Sequence, residues 1–536
     1  MQPLKLPDKD THFHSRSNND FESAILLADE GKFIEARAIM EGLRLTYSED
    51  FRFNFYLGAI SLNLGRLKDA ESHLKKSIKQ KNNSPLSHHM LGAVFIELGE
   101  FDKALQQFDI AINLDEKNPD LLNDKGELLQ KMGNFKEAVE VLLLAVKCDP
   151  QFKDALNNLG ICLCSLNLYK EAKDVFQKAV DIEPRFFASH SNFALALQMQ
   201  NETELSMKSL NIAIQLNPED KFSRWNKANL LLLLDMYKEA WPLYELRWDT
   251  VKKNDRRSFA EPLWLGSESI SGKKIFIHAE QGFGDVIQCA RFVRLLKSMD
   301  ARVTLELPLE LHSLMSLIDG VEVITKNKAH EDYDFHCPIM SLPYAFKTSL
   351  RNIPTHEYLT NFSVDINSVF FKRVHQKNNL LNVGICWSGS DSLVEHFKRS
   401  IDLQIIKPLL DLPVNFHVVQ KEINLDEKLI LENLDVNCYD DIIHNFFDTA
   451  SLIDCMDLVI TIDTSVAHLS ATLNKKTWVL LPFVPDWRWG LDRRDCPWYS
   501  TASLYRQTVP SSWVEPLNEI TKDLTKLIKV RSVSDI

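Results

Sequence analysis

Apolar and polar positions fall into two regimes along this chain. Up to about residue 250, apolar, small and turn-forming residues return at a fixed step of 34 residues. Beyond it, short apolar runs alternate with glycine turns and with stretches that are apolar at helical spacing. The step is marked by GKFIEA, GRLKDA, GEFDKA, GNFKEA, NLYKEA, NETELS and DMYKEA, starting at Gly31, Gly65, Gly99, Gly133, Asn167, Asn201 and Asp235. A period of this length predicts a solenoid of helical hairpins. Gly, Asn or Asp suits the tight turn between helices, because these residues enter the left-handed region most readily. Five residues on stand Ala36, Ala70, Ala104, Ala138, Ala172, Ser206 and Ala240, small enough to let the two helices press together.

Gly58, Gly92, Gly126 and Gly160 share a second phase, inside the first helix of each pair. Glycine there costs about 1 kcal/mol against alanine, so close helix packing is the expected compensation. Pro150, Pro184 and Pro218 end second helices, and Pro85 and Pro119 begin first helices. With these rules in step, residues 19–250 resemble the tetratricopeptide repeat family, in about seven units. The resemblance implies a superhelix whose groove holds a protein or peptide. Scaffolding or dimerising the rest of the chain is the competing role, since stacked repeats need neighbours whatever they bind.

From Lys273 the pattern becomes strand, turn, helix. KKIFIHAE, VTLELP, EVITK and DYDFHCP read as strands or strand-like segments, and VIQCARFVRLLKSM as a helix. LNVGICWSG, FHVVQ, DLVITID and TWVLLPF continue the series, with DTSVAHLSATL as a helix. Alternation of this kind predicts parallel α/β sheets. A break near residues 362–380 suggests two lobes, 273–361 and 380–530, with ligands at the carboxyl ends of the strands. Between repeats and lobes, an aromatic-rich junction at 251–272 follows Trp241, Tyr244 and Trp248 and is expected to pack rather than flex. Residues 1–18 are polar and expected to be disordered, with no signal-like apolar stretch.

Length alone calls for two or more domains. A net charge of −12 and a pI near 5.8 argue against broad nucleic-acid binding. The nine cysteines form no CxxC pair and read as reduced thiols, without a zinc cluster. No apolar run approaches the ~20 residues that span a bilayer, so a cytoplasmic location is expected.

Four segments carry candidate chemistry. In Gln281-Gly282-Phe283-Gly284-Asp285, Gly282 and Gly284 would let backbone N–H groups approach a phosphate, and Asp285 is either a helix cap or a general base. Lys398, Arg399 and Ser400 form a basic loop that is either a phosphate site or simply solvated. Asp463, Thr464 and Ser465 make a helix start suited to a diphosphate, and His468 lies one turn inward as a phosphate donor or a structural histidine. Trp487, Arg488 and Trp489 either stack on a sugar or base or cover the core. The bare DxD at Asp332-Tyr333-Asp334 reads as chance, and no metal or cofactor is expected.

In that order, the motifs resemble glycosyltransferase family nine, the ADP-heptose heptosyltransferase-like group. The whole chain is similar to bacterial proteins that fuse tetratricopeptide repeats to such a module. The resemblance implies a GT-B pair of Rossmann-like lobes and inverting, metal-independent transfer from a nucleotide-diphosphate sugar to a protein, peptide or glycan. It implies Asp285 as base, and donor binding by Gly282, Gly284, Lys398 or Arg399, Ser400, Asp463, Thr464, Ser465 and His468. The first lobe is shorter than the family standard, which leaves the acceptor open. The alternative is a repeat scaffold with a catalytically degenerate transferase domain. Homo-oligomerisation, the donor sugar and the nucleotide base are left open by the sequence.

Overall fold

The computed structural model describes residues 15–326, 332–359, 362–375, 380–389 and 399–534. The chain divides into two compact units between Pro218 and Glu219.

The first unit holds six helical hairpins, from Ser15–Asp29 with Phe33–Tyr47 to Phe187–Gln198 with Thr203–Leu216. The first helix thus starts inside the segment expected to be disordered. The phase-locked turn residues do adopt left-handed backbone, with φ of 70° to 80° at Gly31, Gly65, Gly99 and Gly133, 61° at Asn167 and 59° at Asn201. Ala36, Ala70, Ala104, Ala138, Ala172 and Ser206 are wholly buried.

The helical glycines are explained by contact. A Cβ on Gly58 would stand 2.6 Å from Leu74, and on Gly92, Gly126 or Gly160 it would stand 2.5 Å from Phe108, Leu142 or Phe176. These four partners keep the same 34-residue step. Each glycine gives up about 1 kcal/mol of helix propensity. In return a large side chain of the paired helix seats directly on its backbone, worth about 1.5–3 kcal/mol of burial. Successive first helices also touch one another. Asn158 donates to Asn123 at 3.0 Å and Asn192 to Asn157 at 2.9 Å, while His89 stands 2.7 Å from Asp124.

The second unit opens with a seventh hairpin, Lys221–Leu233 and Tyr237–Tyr244, turning through Asp235 at φ 59°. Read by period alone, this hairpin belongs to the repeats; in the structure it groups with the sheets. Trp241 Nε1 donates to the Thr348 carbonyl at 2.9 Å, and Trp498 Nε1 donates to the Tyr237 hydroxyl at 3.0 Å. Arg247, wholly buried, grips Glu280 with two bonds of 2.7 and 3.0 Å. The packing aromatics therefore lie mostly before residue 251, with Trp264 buried within the expected junction.

Two sheets follow. β1 (Lys274–His278), β2 (Arg302–Leu307), β3 (Glu322–Thr325) and β4 (Phe335–Pro338) form a parallel sheet in the order β3-β2-β1-β4. The second contains β5 (Asn382–Cys386), β6 (Asn415–Val418), β7 (Val436–Asn437), β8 (Leu458–Ile462), β9 (Thr477–Leu481), β10 (Asp495–Cys496) and β11 (Tyr499–Arg506). Its order is β10-β11-β9-β8-β5-β6-β7, parallel except for the β10–β11 pair. Every residue of β8 and β9 is buried, as expected for parallel strands covered on both faces. The sequence reading omitted β7, β10 and β11. It also omitted the last helix, Val514–Ser534, whose Leu517, Ile520 and Leu524 join Phe416, Trp478 and Tyr505 in the core.

Candidate functional site

Strand order reverses between β1 and β4 in the first sheet and between β5 and β8 in the second. Crevices at such reversals, beyond the carboxyl ends of the strands, are where open α/β sheets bind ligands. The turn after β1 is Gln281–Asp285, and the turn after β8 is Asp463–Ser465.

Gly282 starts the helix Phe283–Cys289, and its N–H donates to Asp285 Oδ2 at 2.8 Å. Asp285 therefore caps its own helix. Its other oxygen accepts from Arg488. A Cβ on Gly284 would lie 2.7 Å from His468 Cδ2 and 3.5 Å from Ser465 Cα. Gly284 thus makes room for the helix Ser465–Thr472, bringing two sequence motifs into direct contact.

On that helix, Thr464 holds the cap position with extended backbone, yet its side chain makes no capping bond. Its hydroxyl lies 3.3 Å from Thr461 Oγ1 instead. His468 is buried, with Nδ1 2.9 Å from the Tyr499 hydroxyl and its ring stacked on Trp489 at 5.2 Å. Burial, then the guanidinium groups of Arg488, Arg291 and Arg399, hold its pKa well below the ordinary histidine value, so the ring is neutral at pH 7. Burial and the nearby Asp486 carboxylate push Asp463 up to about 6.

Arg488 joins these parts. Its guanidinium reaches Asp285, Gln288 and, at 2.8 Å, Asp486, and lies 4.2 Å from the Trp487 ring centre. Trp487 and Trp489 are only 6% and 0% exposed. Trp487 packs edge-on against Trp241 and Trp498, while Trp489 stacks on His468 and lies tilted against Tyr499. Of the two roles weighed for them, both tryptophans take the core role, because neighbouring aromatics cover their faces.

Lys398 lies outside the described residues. Arg399 Nη1 donates to the Asp463 carbonyl at 3.1 Å, and its buried Nε has no hydrogen-bond partner among the described residues. Ser400 lines a cleft of about 760 Å³ together with Ser388, Gly389, Lys421, Glu422 and Glu427. Gly389 links the two regions, since a Cβ there would stand 3.4 Å from Thr464 Cγ2 and 3.7 Å from Arg399 Nε. Gln420, buried at the carboxyl end of β6, ties the rim. Its Oε1 accepts from the backbone N–H of Trp387 and Ser388 at 2.9 and 3.2 Å, and its Nε2 donates to Ser388 Oγ and Glu422 O at 2.9 and 3.0 Å. Trp387 Nε1 donates to Glu427 at 2.6 Å. Sequence reasoning missed Gln420, Lys421, Glu422 and Glu427. For Gln420, Lys421 and Glu422 the position directly after the apolar run FHVV, at a strand's carboxyl end, was the available signal.

Asp334 of the bare DxD takes a structural role: it accepts from Lys273 Nζ at 3.0 Å and from the Lys274 N–H at 2.9 Å. Among the described residues no group of three or more His, Cys, Asp or Glu side chains is placed to hold a metal ion. No disulfide joins any of the nine cysteines. No described helix is long and apolar enough to cross a membrane.

Family models described as TPR repeat and tetratricopeptide repeat match residues 92–133, and 21–85 and 123–185, respectively. No curated protein matches the chain. Among solved structures, similarity extends to PilF of Pseudomonas aeruginosa, at 21% identity over 38% of this chain and 93% of that one, with a TM-score of 0.35. YrrB, titled a TPR protein with an unusual peptide-binding site, is 19% identical over 35% of this chain and 97% of its own, with a TM-score of 0.31. A tetratricopeptide repeat protein from Parabacteroides merdae is 15% identical over 43% and 91%, with a TM-score of 0.37. The N-terminal helical region carries tetratricopeptide repeats, which point to a protein or peptide partner.

Proposed function

We propose that residues 273–530 form a GT-B glycosyltransferase module using a nucleotide-diphosphate sugar, and that the repeats recruit its protein, peptide or glycan acceptor. The observation that carries this reading is the convergence of the turn after β1 with two segments of the second sheet: Gly284 against His468 on the helix after β8, and Asp285 against Arg488 after β9. The 760 Å³ cleft beside Arg399 offers room for a nucleotide. In this reading the acceptor oxygen attacks the anomeric carbon as its proton passes to Asp285. The bond from that carbon to the diphosphate breaks, and the charge on the leaving group is met by Arg399, Lys398, the amides at Thr464–Val466 and His468. Stabilisation placed where charge develops is commonly a large part of catalysis. No metal is invoked.

One observation favours a second reading, a repeat scaffold whose transferase module is inactive. Both carboxylate oxygens of Asp285 are already engaged, one by Gly282 and one by Arg488. A carboxylate paired with a guanidinium is a weaker base, because the pair favours its charged form.

A thermal-shift screen against ADP-, GDP-, UDP-, CDP- and dTDP-sugars tests the choice. A ligand specific for the native state at 100 times its Kd stabilises by about 2.7 kcal/mol. A shift with one donor class, lost in Asp463→Ala or His468→Ala, is expected. Absence of any shift would move the assignment to the scaffold. Full turnover by Asp285→Asn would remove Asp285 as the base.

A further inference from the structure

The repeat period makes the seventh hairpin informative where it departs from the others. Tyr244 stands at the position taken earlier by Leu74, Phe108, Leu142, Phe176 and Leu210. At Phe108 and Phe176 a bare ring suffices to fill the hairpin core. The hydroxyl of Tyr244 is therefore surplus to hairpin packing, and it has its own partner. Gln281 Nε2 donates to it at 3.0 Å, and Gln281 Oε1 lies 3.4 Å away.

Gln281 is an unusual residue to hold. Its φ of 62° is left-handed, a conformation that favours glycine, and it begins the turn that delivers Gly282, Gly284 and Asp285. The preceding residue, Glu280, is gripped by Arg247, whose guanidinium also lies 5.0 Å from the Tyr244 ring centre. The first residue of the turn and the one before it are thus anchored from one side, by the end of the hairpin and the helical turn after it.

We propose that Tyr244 is a positioning residue for the Gln281–Asp285 turn, through which the seventh hairpin sets the geometry of the cleft. The identity of the turn's ligand rests on the transferase reading, but the positioning does not, so the test uses no donor. Hydrogen–deuterium exchange is followed by mass spectrometry on the full-length protein, Tyr244→Phe, Gln281→Ala and the double variant. Tyr244→Phe restores the residue type of Phe108 and Phe176, so the hairpin keeps its packing. Exchange in peptides covering residues 281–289 is expected to rise about 2- to 10-fold in each single variant, the range set by losing one hydrogen bond. It should rise no further in the double variant, while residues 221–244 stay unchanged. Unchanged exchange at 281–289 would overturn the proposal. So would acceleration spread through 221–244, which would assign the hydroxyl to hairpin stability, or additive effects in the double variant. If the donor screen fails while this exchange pattern appears, the transferase reading falls and the positioning role stands.

Discussion

Arg488 and Asp285 form an ion pair that ties the turn after β1 to the segment after β9, with Arg488 5% exposed and its guanidinium backed by Asp486 and Gln288. Burying two charges is costly, and removing one partner leaves the other uncompensated. Arg488→Gln leaves the carboxylates of Asp285 and Asp486 facing a neutral amide, and is expected to destabilise the second unit by about 3 kcal/mol. Asp285→Asn leaves Arg488 paired with Asp486 and should cost only about 1 kcal/mol. Urea unfolding followed by tryptophan fluorescence separates the two. Equal costs would show that Asp285, rather than Asp486, is the partner that matters.

Asp463 gives a pH prediction. Its carboxyl ionises near 6 when folded, because burial and the Asp486 carboxylate oppose its charge, against an ordinary value of 3.8. For an acid whose pKa is raised by folding, the charged form penalises the folded state. The penalty is absent below about pH 4, grows between 4 and 6, and is complete above 6, amounting to about 3 kcal/mol at most. Asp463→Asn is therefore expected to stabilise the protein at pH 8 and leave it unchanged at pH 4. Thermal melts at the two values check the sign, and a variant destabilised at pH 8 would mean that the charged carboxylate is held favourably.

Gly160 tests the packing of the repeats. Alanine there gains about 1 kcal/mol of helix propensity, but its Cβ meets the Phe176 ring at 2.5 Å. Overpacking of this kind costs about 1–3 kcal/mol, so Gly160→Ala should lower the stability of the first unit. Adding Phe176→Leu should recover part of it, since the next repeat already carries Ala194 and Leu210 at these positions. Gly133→Ala has open space around it but sits at φ 80°, and should cost about 1 kcal/mol with no rescue from neighbours.

Much of this architecture was legible because it repeats or alternates. A 34-residue step announced both the left-handed turns and the buried alanines, and fully apolar runs announced β1, β5, β8 and β9. β11 was not legible, because YSTASLYR reads as polar loop while its Tyr499, Ala502, Leu504 and Tyr505 are buried by the neighbouring helix and strands. The site motifs were visible as turns, but their partners were not. Arg488 is 203 residues from Asp285, and no local spacing reports such a pairing. Nor does a period distinguish a seventh repeat that continues the array from one that has become part of the next unit.

That last distinction is open to direct test by truncation. A chain starting at Glu219 keeps Tyr237, Trp241, Tyr244 and Arg247 with their partners in the sheet region. A chain starting at residue 251, the boundary suggested by the period, loses all four. Glu280 would then be left without its buried guanidinium, a loss of about 3–5 kcal/mol before any lost aromatic packing is counted. Total stabilities of domains are only about 5–15 kcal/mol, so this deletion removes a large share. The fragment 219–536 is expected to melt cooperatively by near-ultraviolet circular dichroism, and 251–536 to show no such transition. A cooperative melt for both would mean that the seventh hairpin is an appendage to the sheets rather than one of their supports.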